Sequence, residues 1–152
     1  NGKIAFNGRV DRNILNSYLN DSYYSSLPPK SLDVNYFNLS AARGLSVENS
    51  ITTLSELTVR TIVNSLNFFS KKPKQIILCG GGRKNKYICD RIKKISNIPT
   101  YNIDEYKING DFIESQAFAY LAIRSFLKKP ISFPKTTGVS IPMTGGKLIE
   151  FK

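Results

Sequence analysis

The sequence predicts an α/β fold in which helices surround a parallel pair of short strands. Three observations carry the prediction. First, Ile76, Ile77, Leu78 and Cys79 run straight into Gly80, Gly81 and Gly82. A short apolar run that ends in glycine reads as a buried central strand leaving into a turn. Second, apolar residues recur at helical spacing on both sides of that run, over 46–70 and 112–128. Third, a helical pattern follows the glycines and then a second strand candidate, 100–103. Helix, strand, glycine turn, helix and strand in that order indicate a parallel pair.

The chain has 152 residues, is 41% hydrophobic and carries a net charge of +11. That is enough length for one globular domain, drawn over 1–152. No apolar run approaches the roughly 20 residues that span a bilayer, so no membrane role is expected. Residues 1–20 show no secretory leader, and an opening Asn reads as a fragment or a processed chain. The cations are scattered, as in Lys71, Lys72 and Lys74, or Lys128 and Lys129. They read as solvated faces, with some attraction for anionic ligands, and a nucleic-acid partner is not expected. There is no histidine, which removes histidine triads and histidine metal sites. Any acid–base work would fall to carboxylates. Cys79 and Cys89 read as small buried hydrophobes in a reducing compartment.

Taken in order, Val10, Ile14, Leu15, Tyr18 and Leu19, then Tyr23 and Tyr24, predict a helix of about four turns. Pro28 and Pro29 stop it and open a surface loop. Ser46 is the expected N-cap of the long helix 46–70, with Glu48 in its first turn. Ile51, Leu54, Leu57, Ile62, Val63, Leu66 and Phe69 should face inward. Thr52, Thr53, Glu56 and Arg60 are then either solvent face or site lining. After the glycines, Ile88, Cys89, Ile92 and Ile95 should pack inward on the next helix, which Pro99 ends.

Asp111 and Glu114 open the last long helix, whose Ile113, Ala117, Phe118, Leu121 and Phe126 should face the core. The two carboxylates are either a capping pair or, for Glu114, a group that holds substrate hydroxyls at the helix mouth. In the tail, Thr144-Gly145-Gly146-Lys147 is not a phosphate-binding P-loop. Ile141 stands where a glycine is needed, and Leu148 where Ser or Thr is required. A final strand over 148–151 is expected. The three glycines remove side chains at the end of the strand, where a ligand can meet backbone N–H groups. A plain turn with no ligand is the alternative.

Six pieces in one order resemble the C-terminal half of the anhydro-N-acetylmuramic acid kinases. Gly2 to Gly8 is similar to the family's "D-x-x-G-x-x-A-x-x-G" stretch without its leading Asp. Pro28-Pro29-Lys30-Ser31 with Phe37-Asn38 resembles "PPKS…FN", and 53–58 resembles "TLTELT". Cys79-Gly80-Gly81-Gly82 with Asn85 resembles "CGGGxxN". Asp104-Glu105-Tyr106, Gly110-Asp111, Glu114 and Ala117-Phe118-Ala119 resemble "DEYG…GDxxEAxAFAxLA". Pro134, Thr137 and Gly138 resemble "PxxTGA".

The resemblance implies a ribonuclease H-like (actin-like ATPase) C-terminal domain, a mixed sheet with flanking helices. It implies a bacterial, cytoplasmic kinase of cell-wall (peptidoglycan) recycling. Water would attack the anomeric carbon of 1,6-anhydro-N-acetylmuramic acid, the bridge would open, and the freed 6-oxygen would take the γ-phosphoryl group of ATP, with Mg²⁺ and release of ADP. Gly80, Gly81, Gly82 and Asn85 match the adenosine-side turn. Thr53 and Thr58 match the helix facing the nucleotide cleft, and Glu114 matches a carboxylate near the sugar. Two departures stand out: Val34 where the family often has Arg, and Arg83 where it often has Ala. The family's phosphate loops, "GTSxDG" and "DTGPGN" with the base, have no counterpart here. The chain alone is therefore expected to be inactive, a lobe whose N-terminal partner lobe lies elsewhere. A non-catalytic nucleotide-binding regulator and a basic nucleic-acid module are the alternative functions, and a homodimer is left open.

Overall fold

The structure is a computed structural model, and it describes residues 1–36 and 38–150. Phe37 of the "FN" element and Phe151 of the expected last strand lie outside the described residues. Eight helices and strands follow a 3-10 turn at Ile4–Phe6: α1 (Arg12–Leu19), α2 (Ser22–Ser25), α3 (Val47–Ser65), β1 (Ile76–Leu78), α4 (Lys86–Ser96), β2 (Thr100–Asn102), α5 (Ile113–Phe126) and α6 (Pro134–Thr137). This is an α/β architecture with a small parallel sheet and flanking helices.

The parallel pair is as expected, with Ile76 opposite Thr100, Ile77 opposite Tyr101 and Leu78 opposite Asn102. Among the described residues no antiparallel strand joins it, so the sheet is not mixed. Nor is β1 buried as its composition implied. Ile77 and its partner Tyr101 are 40% and 38% exposed, while Ile76, Leu78, Thr100 and Asn102 on the opposite face are half-buried. Cys79 is exposed and Cys89 half-buried, so neither is the buried hydrophobe expected.

The first predicted helix is two helices. Asp11 caps α1 by accepting the Ile14 N–H at 2.9 Å, and Asp21 caps α2 by accepting the Tyr23 N–H at 2.8 Å. An internal N-cap competes with continued helix, and here it breaks the run at Asn20. Ser46 caps α3 through the Asn49 N–H at 3.3 Å, as expected.

The core forms where α3 meets α1, α4 and the opening turn, and its inward face departs from the apolar pattern. Thr52, Thr53 and Glu56 are buried with Leu57 and Val59, while Ile62 and Phe69 are exposed. α3 ends at Ser65 and tightens into a 3-10 turn, Leu66–Phe68. Burial of the polar residues is possible because each is bonded. Thr52 Oγ1 donates to the carbonyls of Ala5 and Glu48, and Thr53 Oγ1 accepts the Asp11 N–H at 3.0 Å. Glu56 takes Arg91 in a two-toothed pair at 2.7 and 2.8 Å, and Arg60 at 2.9 Å. This pair joins α3 to α4. Tyr87, Ile92 and Ile98 complete the packing.

α5 is the largest departure. Phe118 is 64% and Phe126 69% exposed, and Ala117 is exposed. Among the described residues no element covers that face. A cleft of about 820 Å³ lies between α5 and residues 144–148, and none of the three glycines lines it. Residues 148–150 form no strand. Among the described residues the tail instead makes an antiparallel bridge, Ser132 to Met143.

Candidate functional site

The site is built on the crossover from β1 to α4. Gly80 leaves the strand at φ 72°, ψ −174°, a conformation that only glycine adopts without strain. Gly81 and Gly82 then open a 3-10 turn, Gly81–Lys84, and Asn85 starts α4 as its N-cap, accepting the Ile88 N–H at 3.3 Å. Gly81 and Gly82 are exposed, and a Cβ on either would meet nothing within 4 Å. Among the described residues no acceptor meets the N–H of Gly81 or Gly82. The turn thus presents donors to open space at the carboxyl end of a strand, the place where α/β sheets take ligands.

Beneath the turn, Arg83 anchors a knot of charges. Its Nη1 donates to the Gly80 carbonyl at 2.9 Å and to Asp111 at 2.7 Å. Its Nε and Nη2 take the two oxygens of Asp104 at 2.6 and 3.3 Å. Lys84 adds a bond to Asp111 at 2.7 Å, and the Gly110 N–H donates to Asp104 at 2.9 Å. A Cβ at position 110 would collide with the guanidinium, so that glycine makes the close approach possible. Hydrogen bonds from Arg83, then from Lys84, hold the Asp111 carboxyl down to about 2. The Asp104 carboxyl is held low by Arg83 and then by the Gly110 N–H. The same bonds push the Arg83 guanidinium up. The cation after the glycines therefore neither reaches outward to phosphate nor faces water, since Arg83 is only 8% exposed.

This knot also corrects the reading of the α5 mouth. Asp111 does not cap α5. Phe112 holds the N-cap position without a side-chain bond, and among the described residues Glu114 bonds back to nothing. The capping box belongs instead to the 3-10 turn Ile103–Tyr106, where Asn102 accepts the Asp104 N–H and Glu105 accepts the Asn102 N–H. Glu114 is exposed on the first turn of α5.

The other predicted residues are dispersed. Asn85 sits beside the glycines, with its oxygen used as a cap and packed against Gly2. Thr53 is fully buried with its hydroxyl on Asp11. Thr58 is exposed and donates to the Leu54 carbonyl at 3.1 Å. Glu56, left open by periodicity, is a buried ion-pair partner. Burial pushes its carboxyl up, and the hydrogen bonds from Arg91 and Arg60 outweigh that and hold it low. The knot of Arg83, Asp104 and Asp111 is what sequence reasoning missed. Its one signal was a cation directly after the glycines with two aspartates in the following polar turns. Phe69, Phe118 and Phe126, expected to face inward, are exposed, and exposed aromatics are one feature of nucleic-acid surfaces. On α5, however, those aromatics neighbour aliphatic residues, and Arg124 is the helix's one cation.

The anhydro-N-acetylmuramic acid kinase family model matches residues 1–150. The chain belongs to this family. It is 42% identical over 147 residues to the anhydro-N-acetylmuramic acid kinase of Zymomonas mobilis, covering 97% of this chain and 40% of that protein. To the kinase of the same name from Pelagibacter ubique it is 45% identical over 157 residues, covering 99% of the chain and 42% of the relative. The Caulobacter vibrioides kinase is 39% identical over 148 residues, with 97% and 40% covered. The chain thus spans about 40% of the length of these kinases. Within this family member the glycine turn and the α5 mouth, two separate stretches of sequence, are brought together by Arg83. No helix is long and apolar enough to cross a membrane, among the described residues.

Proposed function

We propose that this chain is the nucleotide-binding, C-terminal lobe of a kinase that converts 1,6-anhydro-N-acetylmuramic acid to N-acetylmuramic acid 6-phosphate in peptidoglycan recycling. On this reading residues 1–152 are one ribonuclease H-like domain of an actin-like ATPase, working in the cytoplasm with a partner lobe. The observation that carries it is the turn at Gly80–Gly82, with open space where side chains would stand and unengaged N–H groups at Gly81 and Gly82. Packing within the chain does not require glycine at 81 or 82, whereas close approach of a nucleotide does.

In this role the turn seats ATP or ADP through its backbone. Asn85 fixes the start of α4 behind it. Thr53 contributes from the interior, by holding Asp11 and so the packing of α1 on α3. Glu114, exposed at the mouth of α5, is the residue placed to accept hydrogen bonds from sugar hydroxyls. The catalytic base and the phosphate loops belong to the partner lobe, so the chain alone is inactive. Mg²⁺ is implied by the phosphoryl transfer. Among the described residues no group of three or more His, Cys, Asp or Glu is placed to hold a metal ion.

Calorimetric titration of ADP tests the reading, with Gly81→Val beside the wild type. A Cβ at 81 meets nothing within 4 Å in the free protein, so loss of binding in a variant shown to be folded reports on the ligand. Loss of ADP binding in a folded variant is the expected result. Equal binding by both proteins would remove the glycine turn as the nucleotide seat.

A further inference from the structure

We infer that Arg83 is a positioning residue that fixes the glycine turn against the 104–111 loop, and so sets the nucleotide seat in register with the mouth of α5. The inference rests on the nucleotide reading of the glycines. Gly80 is the residue at which the chain bends out of β1, at φ 72°, and its carbonyl is held by Arg83 at 2.9 Å. The same guanidinium nitrogen holds Asp111 at 2.7 Å, three residues before Glu114. The other side of the fork takes both oxygens of Asp104, and Asp104 in turn accepts the Gly110 N–H. One planar cation therefore ties the backbone of the turn to the backbone of the loop that feeds α5.

Its side chain is 4% exposed. Shielded from water, charge-assisted bonds of this kind fix both distance and direction. A lysine offers one point charge on a flexible stem and cannot serve a carbonyl and two carboxylates along a rigid fork. The plain alternative is a buried ion pair that stabilises the fold and leaves the turn's affinity untouched. The two roles separate in nucleotide affinity, because a merely stabilising pair lowers the melting temperature without changing the dissociation constant of the folded protein.

The test titrates ADP into the full-length protein by calorimetry, below the melting temperature of each variant. Arg83→Met and Arg83→Lys should each weaken ADP about tenfold, the scale of one lost charge-assisted contact. Asp111→Asn alters a side chain that is 46% exposed and should fold readily; it should weaken ADP about threefold. The double variant should bind no worse than Arg83→Met alone, as residues acting as one unit do. Wild-type ADP affinity in both Arg83→Met and Asp111→Asn, with only melting temperature lowered, overturns the inference. Gly81→Val distinguishes the two failures. If it loses ADP while those variants keep it, only the positioning role falls. If it binds ADP like the wild type, the nucleotide reading falls first.

Discussion

The regions around α3 and around α5 are built on opposite terms. α3 reads in sequence as an amphipathic helix with an apolar inward face, yet it buries three polar side chains and makes the core with α1 and α4. α5 carries the richer apolar sequence, Ile113, Phe118, Leu121, Ile123 and Phe126 among them, and leaves most of it bare. The total accessible surface, 11528 Å², is about half again the ~7,700 Å² typical of a monomer of this mass. The contrast teaches that burial follows available partners rather than hydropathy. Threonine and glutamate go inside where a carbonyl, an N–H or a guanidinium waits for them. Phenylalanine stays outside where no element arrives to cover it.

The sharpest way to break this contrast is Glu56→Ala. It strands Arg91 and Arg60 at the joint of α3 and α4, and should destabilise the chain by about 3 kcal/mol, measured by urea unfolding. A loss below that of an ordinary surface change would mean the buried ion pair is not what joins the helices. Next comes a matched pair. Val59→Ala removes two methyls at a fully buried site and should cost about 2 kcal/mol. Phe118→Ala removes a whole ring from α5 and should cost under about 0.5 kcal/mol in this chain. The smaller deletion doing more harm is the expected order, and the reverse order would place α5 in the core.

The smallest effect tests the joint between the regions. Asp104 and Asp111 have folded pKa values below their ordinary carboxylate range, Asp111 at about 2. A depressed folded pKa adds stability that is complete above the unfolded value and fades as pH falls through the folded one. The stability difference between wild type and Arg83→Met should therefore be full at neutral pH. It should shrink as pH drops from about 4 toward about 2. Urea unfolding at stepped pH measures it, and a difference independent of pH would show that these carboxylates do not depend on Arg83.

Much of this was legible in sequence where local chemistry decides. The glycine turn and the Ser46 cap needed only neighbours within a few residues, and the parallel pair followed from the order of the elements. The rest depended on partners far along the chain. Nothing near Glu56 announces Arg91, and nothing near Arg83 announces that Asp104 and Asp111 close on it. The periodicity of α5 reports an apolar face correctly, but it assumes a neighbour that the described residues do not supply. At the candidate site, Asn85 closes the turn that the glycines open, while Thr53 lies in the interior with its hydroxyl on the Asp11 N–H.

Gly110 has a practical consequence for anyone exchanging segments of this chain with those of a relative. It and Arg83 are a matched pair, as a mortise is to its tenon. A donor loop with any side chain at 110 closes the space that the guanidinium fills. A donor turn without a cation at 83 leaves the carboxylates of Asp104 and Asp111 facing each other across an empty slot. Grafts of 80–85 and of 104–111 should therefore be moved together or not at all.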